Sequence, residues 1–190
     1  MFVFGSFIGI ISGYIGGLFD NIVMRIVDVF LAFPSLVLAI AVAGVLGGGM
    51  INAMIAIGVI GWTKYARLAR GEVLEIKEET FIKAARLSGN SSMYIVFKHI
   101  MPRVLSTLIV TASLDIGTTI MEMAALSFLG LSSPLPIPEW GAMMNEGKSM
   151  IQFAPWITIA PGIAIFIIVI LFNLLGDVVH DMLDPKQKEY

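Results

Sequence analysis

The sequence predicts an all-α integral membrane protein of about five transmembrane helices, with a cytoplasmic helical loop between the third and fourth. Three observations carry this reading. Of the 190 residues, 57% are apolar and only 14% charged. A soluble domain carries about 25% charged residues, so this chain lacks the polar surface to stay in water alone. The apolar residues gather into stretches close to the roughly 20 residues that cross a bilayer core. Most of the remaining charge is concentrated in one middle segment, 71–103, and in the C-terminal tail. The length fits a single membrane domain, 1–190, with no room for a second, soluble one.

The first stretch opens the chain and carries Gly5, Gly9, Gly13 and Gly17 at every fourth position. On a helix these form one stripe of small residues, which lets membrane helices touch closely. No basic n-region precedes it, so no cleavable signal peptide is expected. A second span, 22–46, contains Pro34, which should kink it, and Gly47-Gly48-Gly49 should end it in a turn. The third, 50–69, finishes in Lys64, Arg67 and Arg70, whose stems can reach the headgroups. Arg25 and Asp28, three apart, should pair near the same membrane surface.

The fourth span is 104–131, followed by a proline-rich loop from Ser132 to Pro138 that cannot be helical. From Glu139 to Gln152 polarity is mixed, and Trp140, Met143, Met144 and Met150 read as interfacial residues. The fifth span runs 155–176, anchored by Trp156, before a polar tail from Asp177. Placing segment 71–103 in the cytoplasm puts every Lys and Arg except Lys148 at or near that side. The positive-inside rule therefore sets the orientation, with a cytoplasmic C-terminus.

Several functions are excluded by residue types. There are 12 Lys+Arg against 14 Asp+Glu, a formal net charge of −2, and no basic excess points to nucleic acid. The absence of cysteine removes disulfides, thiolate metal sites and thiol nucleophiles. The two histidines, His99 and His180, lie far apart and read as surface or capping residues, so no metal site is predicted. Gly147-Lys148-Ser149 superficially suggests a phosphate loop. That motif needs a glycine at Ala142, a preceding strand and a cytoplasmic location, and it has none of them. No nucleophile–base pair appears, so no catalytic residues are assigned.

Two features remain as functional candidates. Asp115 and Glu122 sit seven apart on one face of the fourth span, where a carboxylate costs at least about 2.5 kcal/mol and should face the bundle interior or water. That face either borders a translocation pathway or makes hydrogen bonds between helices. The second candidate is in the middle segment: Lys83-Ala84-Ala85-Arg86, then Gly89, then twelve residues to Pro102. Ala84-Ala85 gives a short helix with a small face, Gly89 can supply a left-handed C-terminal cap, and Asn90-Ser91-Ser92 can cap a second helix entering at Met93. Pro102 should stop the segment where the fourth span begins. The product is a helix–turn–helix shaped to dock with a partner.

This pattern resembles the "EAA" loop of permease subunits of binding-protein-dependent ABC importers: Glu-Ala-Ala, three residues, Gly, and a later Ile-x-Leu-Pro. Here Lys83 replaces the Glu, His99 stands at the Ile position and Met101 replaces the Leu, while Ala84, Ala85, Gly89, Pro102 and their spacing match. Further strings are similar to the peptide/nickel branch (the oligopeptide and dipeptide permease C type). They are Asp20 with Met24-Arg25 and Asp28, Ala32-Phe33-Pro34, Tyr65-Ala66-Arg67, Ser127-Phe128-Leu129-Gly130-Leu131 and Glu139-Trp140-Gly141. Ala154-Pro155-Trp156, Pro161-Gly162, Phe172-Asn173-Leu174-Leu175-Gly176-Asp177 and Asp184-Pro185 follow, and His180 stands where relatives commonly carry Arg.

The resemblance implies a multi-pass subunit of a bacterial or archaeal cytoplasmic membrane that pairs with a second homologous permease. It also implies two ATP-binding subunits, which hold ATP and Mg, so no cofactor is expected in this chain. An extracytoplasmic substrate-binding protein would deliver peptides or a nickel chelate. Lys83, Ala84, Ala85, Arg86, Gly89 and Pro102 are then the ATPase-coupling residues. Relatives carry an additional span before the first one here. Two other readings stay open on the residues: an ion-coupled carrier using Asp115 and Glu122, and a truncated, non-transporting assembly subunit.

Overall fold

A computed structural model describes residues 1–132 and 137–183. The prolines Pro134 and Pro136 of the proline-rich loop, the Asp184-Pro185 string and the rest of the tail lie outside the described residues. Nine α-helices are found among those residues and no strand: α1 (Phe2–Ile15), α2 (Gly17–Leu31), α3 (Ser35–Val45), α4 (Met50–Ile76), α5 (Thr80–Leu87), α6 (Ser92–Ile95), α7 (Met101–Phe128), α8 (Trp140–Gly147) and α9 (Trp156–Leu183). A π turn, Val96–Ile100, joins α6 to α7, and a single 3-10 turn, Lys148–Met150, follows α8. Two helical runs, Ser92–Phe128 and Trp156–Met182, are long and apolar enough to cross a membrane, and α2 with α3 makes a third if the broken pair is one span. The other predicted spans are helical too. However, α1, at about 1.5 Å per residue, is only about 21 Å long, and α4 is diluted by Lys64, Arg67 and Arg70.

The helices form two compact units, Met1–Phe33 with Gly61–Thr111, and Pro34–Ile60 with Ala112–Tyr190. In the first unit the glycine stripe explains the packing of α1 on α4. A Cβ on Gly5 would overlap the Trp62 carbonyl, one on Gly9 would overlap that of Ala66, and one on Gly13 would come within 3.0 Å of Val73 Cβ. Glycine therefore sets how closely the backbones approach. Gly17 departs from the expected stripe. Its φ is +65° with open space around it, and with Gly16 at +69° it makes the turn that starts α2. Phe2 and Phe4 meet Tyr65 and Trp62 edge to face at 5.4 Å, adding aromatic packing to the small-residue contact.

In the second unit α8 lies against α7 and α9 by the same device: Gly141 abuts Ala124 and Ser127, and Gly147 abuts Ile157 and Thr158. Gly117 faces Asn173 and Val169, and Gly176 faces Leu114, so α7 and α9 also pack through glycine. The Gly47–Gly49 turn forms as expected, all three with positive φ, and Asn52 Nδ2 donates to the carbonyls of Leu46 and Gly48. Large side chains on α9, Phe166 and Leu174 among them, are exposed. A helix apolar all round with such exposure fits a lipid surrounding.

Three expectations need correction. Pro34 does not kink a continuous span. Helix α2 stops at Leu31 and α3 restarts at Ser35 with Pro34 as its N-cap residue, because proline pushes the residue before it out of the helical region. Pro102 does not stop anything: it is the second residue of α7, inside a continuous 37-residue helical run. Its ring would strike the carbonyl of residue 98, and that position lies within the π turn. The third helix also runs past the expected end of its span at residue 69: α4 continues to Ile76, so the first part of segment 71–103 extends that helix.

Candidate functional site

The middle segment is built by local rules. Helix α5 ends at Leu87 with Gly89 at φ +80°. The Gly89 N–H donates to the Arg86 carbonyl at 3.0 Å and that of Asn90 to Ala85 at 3.3 Å. This is the paired bonding of a Schellman cap, and Asn90 Nδ2 adds a bond to the Ala85 carbonyl at 3.0 Å. Ser91 then caps α6, its Oγ accepting from the Tyr94 N–H at 3.3 Å, and the helix begins at Ser92, one residue before the expected Met93.

Only Ile82 of α5 is fully buried, while Lys83, Ala84 and Arg86 are exposed and Ala85 is half-buried. Leu87 is 90% exposed, and Met93 and Phe97 beyond the turn are exposed as well. Lys83 Nζ reaches Glu78 at 3.2 Å, a solvated pair that contributes little. Arg86 lies 5.8 Å from the centre of the Tyr14 ring, tying α5 to α1. Underneath, Arg103 sits 4.3 Å over the Phe81 ring and donates to Glu79 at 3.3 Å, and the His99 ring lies edge-on to both Phe81 and Tyr94. Helix α5 is therefore held by these contacts, with Lys83, Ala84, Arg86 and Leu87 exposed. Pro102 is also exposed, at the base of α7.

Asp115 and Glu122 lie on α7, both half-buried. Glu122 Oε1 accepts a hydrogen bond from Ser35 Oγ at 3.1 Å, which ties α7 to the start of α3. At the other end of α4, Glu72 is half-buried, and burial raises its carboxyl above the ordinary value. Repulsion from Glu75 adds to the rise, and a hydrogen bond with Thr107 opposes it.

The basic residues on α4 behave differently from the expectation. Asp28 pairs with Arg67 rather than with Arg25. Arg70 grips buried Asp20 with two bonds of 2.6 Å, Nε to Oδ1 and Nη2 to Oδ2, while Ser12 Oγ donates to Oδ1 at 2.6 Å. Lys77 Nζ donates to the Gly13 carbonyl at 3.1 Å. These links join residues up to 64 positions apart, so spacing rules could not find them. The signal that was present is chemical: an Asp and an Arg among apolar neighbours must meet an opposite charge. Among the described residues no group of three His, Cys, Asp or Glu could hold a metal ion.

The described residues thus define an all-helical, multi-pass membrane protein. The MetNI methionine ABC transporter, solved in inward-facing conformations, superposes with a TM-score of 0.67 over 96% of this chain and 93% of that one, at 19% identity. Residues 5–189 match the family described as "Binding-protein-dependent transport system inner membrane component", and the chain belongs to that family. It is 45% identical over 98% of its length to the dipeptide transport system permease protein DppC of Alkalihalophilus pseudofirmus. It is 46% and 47% identical to the glutathione transport system permease proteins GsiD of Pectobacterium atrosepticum and Escherichia coli, over 97% and 98% of its length. The chain spans 61%, 61% and 64% of those three relatives.

Proposed function

We propose that this chain is a permease subunit of an ATP-driven importer of short peptides, coupled to its ATPase subunits through α5. The outward face of α5 carries the coupling reading: Leu87 stands almost free of the protein on a capped, braced helix, flanked by exposed Ala84. Met93 and Phe97 beyond the turn are exposed too, and burying these apolar side chains against a partner would be favourable. The cargo reading rests on the dipeptide and glutathione relatives; none of those reported is named for nickel. ATP and Mg belong to the partner subunits, and a second permease and an external binding protein complete the assembly. Lys83, Arg86, Gly89 and Pro102 shape or flank the contact. Asp115 and Glu122 border the route of the cargo, with Ser35 orienting Glu122. ATP binding favours one of two helix arrangements by contacts made in only that state.

The chain contains no cysteine, so Ala84→Cys and Ala85→Cys give clean single-site probes. In intact cells both should crosslink to an ATPase subunit, and Leu87→Glu should lower dipeptide uptake by at least about tenfold, the effect of burying one unpaired charge, with membrane accumulation unchanged. Uptake should persist in a protonophore and cease when ATP is depleted. Absent crosslinks together with unchanged uptake in Leu87→Glu would refute the coupling role. Proton-driven uptake would favour the carrier reading, and uptake of nickel without dipeptide would refute the cargo.

A further inference from the structure

Helices α2 and α4 flank an open cavity of about 390 Å³ lined by Asn21, Met24, Arg25, Asp28, Arg67 and Arg70. Its charges do not cancel. Asp28 takes Arg67, and Asp20 takes Arg70. Arg25, exposed on α2, is joined to neither carboxylate. Three guanidiniums against two carboxylates leave one positive charge facing the cavity. A guanidinium fork matches the oxygens of a phosphate, and the volume accommodates that group.

The surroundings say what carries the phosphate. Along α2, the polar stripe of Asn21, Arg25 and Asp28 runs beside an apolar stripe of Leu18, Ile22, Ile26 and Val29, all exposed. Residues three and four apart on a helix are neighbours, so Arg25 is flanked by Ile22 and Val29. By the charge asymmetry of the chain, this end of α2 lies at the cytoplasmic membrane surface. Basic pockets between membrane helices on that side take anionic headgroups. We propose that this cavity binds the phosphate of an anionic phospholipid, with Arg25 as the main contact, Arg67 as the second, and the acyl chains lying along Ile22, Ile26 and Val29.

The inference rests on the membrane placement of α2 and not on the cargo or on ATPase coupling, so the test reads lipid retention rather than transport. The full chain, released from detergent micelles, is titrated by native mass spectrometry with phosphatidylglycerol, phosphatidylcholine or inorganic phosphate. Phosphatidylglycerol should be retained in preference to phosphatidylcholine, whose choline cancels the phosphate charge. Arg25→Gln should weaken phosphatidylglycerol binding about tenfold, as expected for one charge-assisted contact, and leave phosphatidylcholine unaffected. Arg25→Lys, which keeps the charge but not the fork, should lose part of the preference, and Lys148→Gln should keep all of it. Inorganic phosphate bound through Arg25 with no preference between the lipids would overturn the lipid assignment in favour of a soluble phosphate. Equal retention of both lipids, insensitive to Arg25→Gln, would overturn the site.

Discussion

Breaking the Asp20–Arg70 pair by Asp20→Asn tests whether buried charge holds the first unit together. The Asp20 side chain is 8% exposed and that of Arg70 31%, so the amide leaves a half-buried guanidinium with its charge unmatched. Removing one partner of a buried pair costs about 3–5 kcal/mol, and the partial exposure of Arg70 places this case near the lower value. For a chain of this size each kcal/mol moves the midpoint by about 2–4 °C, so Tm should fall by about 6–12 °C. Thermal unfolding in detergent, followed by size-exclusion of the surviving fraction, reads it directly. Adding Arg70→Gln should recover part of the loss, because the unmatched charge then disappears. The solvated pair gives the control: Lys83→Gln, removing the contact to Glu78, should change stability by less than about 1 kcal/mol. The reasoning fails if Asp20→Asn shifts Tm no further than Lys83→Gln, or if the double variant loses the sum of the two single losses.

Gly9→Val should destabilise by at least about 1–3 kcal/mol, since the new Cβ overlaps the Ala66 carbonyl and lies 2.8 Å from Ala69 Cβ. Gly44→Ala, with nothing within 4 Å, should be neutral or stabilising in the same melt, and equal effects would refute the close-packing argument. Glu72 supplies a pH dependence. Its carboxyl titrates above the ordinary value in the folded protein, so the folded state binds the proton more tightly than the unfolded chain. That contribution is fully present below the unfolded value and is lost as pH rises through the folded one. Glu72→Gln should therefore melt higher than the parent at neutral pH, with the gap closing as pH falls through the carboxylate range. A gap independent of pH would show that burial of the charge is not its cause.

What could be read in advance was governed by distance along the chain. The apolar stretches, the Gly47–Gly49 turn and the caps at Gly89 and Ser91 depend on residues within a turn or two of each other, and they form at or near the expected positions. Asn90, expected to cap the second helix, instead bonds back to the first. The two prolines show where local rules fall short. Pro34 separates two helices whereas Pro102 sits inside one, because the outcome depends on whether the preceding turn can widen. Gly17 continued the four-residue period of the stripe yet serves a turn, since the period says nothing about where a helix ends. The ion pairs lie beyond that range. Proximity in sequence pairs Arg25 with Asp28, but Asp28 meets Arg67, 39 positions away, and Asp20 meets Arg70, 50 away. Only the packing of α1, through its glycines, and of α2 on α4 brings those groups together.

The brace under α5 bears on how a push there could reach the membrane. Ser92–Phe128 is a single helical run of 37 residues, about 55 Å long at about 1.5 Å per residue. The hydrocarbon core is about 30 Å thick, so roughly 25 Å of this run must lie outside it. Lys98, His99 and Arg103 cluster near the first end, and no basic residue follows before Phe128, so the excess belongs at the end nearest α5. A partner acting on α5 would thus act on the end of a helix rather than on slack chain. The weak point is the π turn at Val96–Ile100, where the hydrogen-bond pattern shifts and a helix bends most easily. Arg103 bridges that point: it lies beyond the turn yet holds Phe81 and Glu79 ahead of it. A push on α5 would pass this point through the contacts of Arg103 with Phe81 and Glu79.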